Sequence, residues 1–124
     1  VTMEWNFRND QPIYSQLTQR LTEAIVSGIY APGEKLPSVR DLAVEAGVNP
    51  NTVQRALSEL EREGLVFSQR TAGRFVTENE NMIVNAKLRI ADERVGTFLR
   101  SMKTLGCNKQ EVISLIEGAK EEEE

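Results

Sequence analysis

Two helix starts stand close together in the middle of the chain, at Ser38 and at Asn49-Pro50, with Gly47 between them. Ser38 is an N-cap residue with Asp41 three positions on, and Val39, Leu42, Ala43 and Ala46 follow as the apolar side of one short helix. Gly47 supplies the left-handed residue that ends it. Asn49 then caps a second helix and Pro50 takes its first position, where a missing N–H does no harm. Val53, Ala56, Leu57 and Leu60 give that helix an inward stripe. Two helices joined by so short a break with glycine at its start have few ways to pack, and the spacing predicts a helix-turn-helix.

The flanks agree. Upstream, Trp5 and Phe7 are spaced to share one face of an extended strand and cover a core edge. A packing helix is expected from about Asp10, as N-cap, with Pro12 in its first turn. Ile13, Leu17, Leu21, Ala24 and Ile25 lie at helical spacing up to Gly28. Residues 31–38, with a Pro-Gly turn, read as a loop or a very short extended piece. Downstream of Gly64, residues 65–70 and 74–77 read as two short strands around Thr71-Ala72-Gly73, a hairpin with glycine near its tip. Three helices followed by a hairpin is the order of a winged helix-turn-helix.

That order gives the polar residues a meaning. Asn51, Gln54, Arg55, Ser58 and Arg62 fall on the outward faces of the third helix, whose first turns would enter the major groove of DNA. Arg70 and Arg74 flank the hairpin turn, placed to reach phosphates or the minor groove. Taken alone, the helix face is equally an ordinary solvated one.

Charge argues the other way. Against 15 basic residues stand 19 acidic ones, a net of −4, where a nucleic-acid binder is often basic overall. The excess is uneven: residues 1–77 hold 8 basic and 9 acidic side chains, and the rest 7 and 10, including the solvated end Glu121–Glu124. There is no histidine and one cysteine, Cys107, in a turn beside Gly106. With no phosphate-binding glycine loop and no paired carboxylates, neither an enzyme nor a bound metal or cofactor is expected. A 40% hydrophobic content beside 27% charge belongs to a chain that folds. The absence of a long apolar run and of a secretory layout points to a cytoplasmic protein with no membrane partner.

The last third changes character. Val84, Leu88, Ala91, Val95, Phe98, Met102 and Leu105 recur alternately every four and three residues, a heptad seam that needs a partner. Gly106 ends that helix, and Asn108 with Glu111 suggests a capping box opening another, with Val112, Ile113, Leu115, Ile116 and Ala119 inward. Two such stripes exceed what each can cover on the other. The expected organisation is therefore α+β, mostly α: a winged helix-turn-helix over 1–77 and a helical hairpin for dimerisation over 78–124. Val84, Leu88, Ala91, Val95, Phe98, Met102, Ile113 and Ile116 carry the interface. The alternative is that the hairpin folds back on the winged part.

Pro12-Ile-Tyr-Ser-Gln16, Pro32-Gly-Glu-Lys-Leu-Pro-Ser-Val-Arg-Asp-Leu-Ala43, Gly47-Val-Asn-Pro-Asn-Thr-Val53, Leu60-Glu-Arg-Glu-Gly-Leu65 and Gly73-Arg-Phe-Val76 together resemble the GntR family of bacterial regulators, over roughly residues 10–77. The short helical C-terminal part resembles the YtrA subfamily, which dimerises through two helices. The resemblance implies a homodimer that binds a two-fold symmetric operator in double-stranded DNA as a repressor. It implies DNA contacts at Arg40, Asn51, Thr52 and Arg55, and close backbone approach to the minor groove at Gly73. Pro50 and Gln54 stand where many relatives carry arginine, and Thr71 stands in place of the first wing glycine. Each role has a structural alternative: Arg40 paired with Glu45, Thr52 supporting its own helix turn, Arg55 paired with Glu59. A winged helix is also used as a protein-interaction module, the rival function. An unidentified small-molecule effector would bind between subunits or between the two parts, because the hairpin alone looks too small for a pocket of several hundred Å3.

Overall fold

The caps and stripes produce five helices and one two-stranded sheet among the residues that the computed structural model describes, 3 and 5–121. In chain order they are α1 (Ile13–Val26), α2 (Val39–Ala46), α3 (Pro50–Arg62), β1 (Val66–Gln69), β2 (Gly73–Val76), α4 (Glu80–Lys103) and α5 (Lys109–Gly118).

Ser38 caps α2, its hydroxyl accepting from Asp41 N, and Gly47 ends it in the left-handed conformation at φ 68°. Asn49 caps α3 through Asn51 N, with Pro50 next. The start of α1 differs from expectation. Pro12 is extended, with ψ 136°, and stands as the N-cap, so the helix begins only at Ile13 with no side-chain cap. Asp10 instead pairs with Arg8 at 2.6 Å. What holds the preceding segment is Gln16, nearly buried on α1. Its Oε1 accepts from Arg8 N, and its Nε2 donates to the carbonyls of Arg8 and Gln11. The expected strand around Trp5 and Phe7 does not pair, but the two rings stack with centroids 6.2 Å apart.

The first compact unit runs to Lys87. Helices α1 and α2 both pack on α3. Leu17, Leu21 and Ile25 of α1, Leu42 of α2, and Val53, Leu57 and Leu60 of α3 are fully buried in one cluster. Strands β1 and β2 pair antiparallel with Val66 opposite Val76 and Gln69 opposite Gly73. The turn is therefore Arg70-Thr71-Ala72: Gly73 opens β2 instead of sitting at the tip, and Arg70 lies in the turn. The short extended piece is real. Leu36 N donates to Arg74 O and Val76 N to Glu34 O, so residues 33–36 lie along the free side of β2. The unit extends beyond residue 77 because Ala86 of α4 is buried in its core and Ile83 packs against it. This is a winged helix-turn-helix.

The second unit begins at Leu88 and holds the rest of α4, the turn at Gly106, and α5. Asn108 and Glu111 form the capping box in both directions. Of the stripe foreseen on α5 only Val112 is buried; Ile113, Leu115 and Ile116 are exposed. Most of the α4 seam is likewise exposed, including Leu88 at 60% and Val95 at 54%. No helix among the described residues is long and apolar enough to cross a membrane.

Candidate nucleic-acid interface

Helix α3 separates its faces cleanly. Val53, Ala56, Leu57 and Leu60 point into the core, while Asn51, Gln54, Arg55 and Ser58 are exposed. Asn51 and Arg55, one turn apart, share a face. Thr52 is half-buried, and among the described residues no hydrogen bond ties its hydroxyl, so it does not back-bond to its own helix as Thr18 and Thr22 do on α1. Arg40, in the first turn of α2, is exposed. Its alternative partner Glu45 is otherwise engaged, accepting a hydrogen bond from Trp5 Nε1 at 3.2 Å. No carboxylate pairs with Arg40 among the described residues.

Arg55 does not pair with Glu59 either. Glu59 meets Arg62 at 3.4 Å, and the Arg55 guanidinium lies over the ring of Tyr14, its central carbon 3.5 Å from the ring centroid. Tyr14, in the first turn of α1, and Arg55 line a groove of about 510 Å3 with Ser15, Thr18, Ser58, Glu59 and Arg62. Sequence reading gave Tyr14 no role, since nothing along the chain relates position 14 to position 55.

The wing is tied to α3 by charge. Arg74 Nε donates to Glu61 Oε1 at 2.6 Å, and Ser68 Oγ donates to the same oxygen at 2.7 Å. These two hydrogen bonds, the Ser68 one foremost, hold the Glu61 carboxyl below its ordinary pKa against a smaller opposing effect of burial. Arg74 therefore spends its Nε on the protein and is mostly covered, whereas Arg70 is exposed in the turn. Lys35 is the cation that sequence reading missed. It is exposed on the 33–36 segment, and its Cε lies 3.0 Å from where a Cβ on Gly73 would stand. Gly73 has φ 113°, so both its backbone and its close neighbour favour glycine. Thr71 has φ 66°, a left-handed conformation that favours glycine.

Arg40, Asn51, Thr52, Arg55, Arg70, Gly73 and Arg74 thus all lie in the first unit. The seam positions Leu88, Ala91, Val95, Phe98, Met102, Ile113 and Ile116 lie in the second, and Val84 just before the division. The second unit also has an open hollow of about 410 Å3 at the α4–α5 turn, lined by Leu99, Lys103, Gly106, Cys107, Asn108 and Lys109.

Residues 13–76 match the profile of the bacterial regulatory proteins of the gntR family. The HTH-type transcriptional regulator YhcF of Bacillus subtilis (strain 168) is 38% identical over 111 residues, covering 90% of this chain and 92% of YhcF. The HTH-type transcriptional repressor YtrA of the same organism is 43% identical over 89 residues, covering 71% of this chain and 68% of YtrA. Among solved structures, a GntR family transcriptional regulator from Listeria monocytogenes superposes with a TM-score of 0.85 at 36% identity, covering 92% of this chain and all of that one. The AraR DNA-binding domain in complex with operator ORX1 superposes with a TM-score of 0.57 at 27% identity, over 62% of this chain and 99% of that one.

Proposed function

This chain belongs to the gntR family of bacterial regulatory proteins, in its YtrA subfamily, and from that premise we propose that it is a homodimeric repressor that binds a two-fold symmetric operator. The observation that carries the proposal is the exposed, unpaired state of Arg40 beside a third helix whose outward face offers Asn51 and Arg55. A charged side chain kept clear of every neighbouring carboxylate is available to phosphate or guanine.

In this reading Arg40, Asn51, Thr52 and Arg55 meet the major groove and its phosphates. Arg70 and the backbone at Gly73 meet the minor groove, with Lys35 alongside. Arg74 braces the wing and adds positive charge there. Residues 1–77 bind DNA and 78–124 dimerise. The dimer rests on the seam: Val84, Leu88, Val95, Phe98, Ile113 and Ile116 are all more than a third exposed in a single chain, more apolar surface than a lone helical hairpin leaves in water. Repression is taken from the YtrA relative, and operator binding from the AraR complex.

The test is selection from a mixed pool of duplexes across a salt series, with wild type beside Arg40→Ala. Enrichment of a symmetric site, affinity that falls as salt rises, and loss in the variant support the reading. If nothing is enriched at low salt and the variant matches wild type, the winged unit is a protein-interaction module instead.

A further inference from the structure

Arg55 and Arg74 are both held, but by different parts of the guanidinium. Arg74 gives its Nε to Glu61 and so spends a donor on the protein. Arg55 is held by its flat face. With its central carbon 3.5 Å from the Tyr14 centroid it stacks on the ring, and stacking consumes none of the five in-plane N–H groups. The carboxylate one turn on, Glu59, is occupied by Arg62. Tyr14 stands on a helix held in place, because α1 packs on α3 and buries Leu17 and Leu21 in the shared core.

We propose that Tyr14 is a positioning residue for DNA recognition: its ring holds the Arg55 guanidinium plane so that the free N–H fork meets a bidentate acceptor edge of the duplex. Two acceptors have that chemistry, the O6/N7 edge of guanine and a pair of phosphate oxygens. A free arginine loses several rotatable bonds when its fork is fixed on DNA. Here the ring has already removed much of that freedom, so Tyr14 acts on affinity without touching the acceptor. The proposal rests on the operator-binding reading above. It adds to it a residue of α1, outside the helix-turn-helix pair.

The experiment measures affinity for the selected duplex and for an unrelated one in wild type, Tyr14→Leu, Tyr14→Phe, Arg55→Ala and the double variant Tyr14→Leu/Arg55→Ala. Thermal melts and the NMR shifts of the Arg55 side-chain protons accompany each. Tyr14→Leu should lose about fivefold or more in affinity and abolish the ring-current shift at Arg55. Tyr14→Phe, which keeps the ring, should restore both. In the Arg55→Ala background, Tyr14→Leu should cost no more than about twofold, since the two residues act as one unit. A loss confined to the selected duplex assigns the fork to guanine; an equal loss on both duplexes assigns it to phosphate. Tyr14→Leu binding like wild type, or losing as much with Arg55 already removed, overturns the proposal and leaves the operator reading standing. If wild type selects no duplex, the operator reading fails first and takes the proposal with it.

Discussion

At position 71 a β-branched side chain occupies a turn at φ 66°, where the left-handed backbone favours glycine. Holding a non-glycine residue there costs about 1–2 kcal/mol, part of which a glycine returns through the greater freedom of its unfolded chain. Thr71→Gly should therefore stabilise the protein by about 0.5–1 kcal/mol, measured by urea denaturation. Neutral or negative values would mean that the turn relaxes around threonine in solution. Arg40→Ala should weaken operator binding by about 1–3 kcal/mol with unchanged stability, because nothing in the fold leans on that side chain. At this scale the sequence was readable where the signal is local. Ser38, Gly47, Asn49 and Asn108 each act on neighbours within three or four residues, and each cap forms as expected. Arg74 on Glu61, Trp5 on Glu45 and Arg55 on Tyr14 join positions far apart in the chain, and no spacing rule reaches that distance.

Among the elements, the wing shares the apolar core with α3, and its side-chain polar link to that helix runs through one carboxylate. Glu61 is ionised to lower pH in the folded chain than its ordinary value of 4.5. A depressed carboxyl pKa adds stability that is fully present above the unfolded value and is lost as pH falls through the folded one. Glu61→Gln mimics the protonated carboxyl. It should cost about 1 kcal/mol near pH 7, and the gap from wild type should narrow as pH falls below the ordinary value of 4.5 and close once it passes below the folded one. A gap independent of pH would show that the Ser68 and Arg74 hydrogen bonds do not require the charge. Helix α1 shows where element boundaries escaped prediction. Both Asp10 and Pro12 are legitimate start signals, but an extended Pro12 delays the helix to Ile13 without a side-chain cap, and Gln16 ties down the segment before it instead.

For the whole molecule the question is what covers the seam. Its heptad period was legible because knobs repeat along one helix, whereas the extent of burial on α5 was not, since only Val112 is covered within the chain. Val95→Glu places a charge in the middle of that exposed stripe. Sedimentation should show a shift from two copies to one, and affinity for a two-half-site operator should fall at least about a hundredfold as the second half-site is lost. A variant that stays dimeric would move the interface elsewhere. The central claim, symmetric recognition of DNA by two winged units, is tested most directly by hydroxyl-radical footprinting of wild type on its selected duplex. Two protected segments related by two-fold symmetry and about one helical turn apart are predicted. A single asymmetric patch, or no protection at saturating protein, would contradict it.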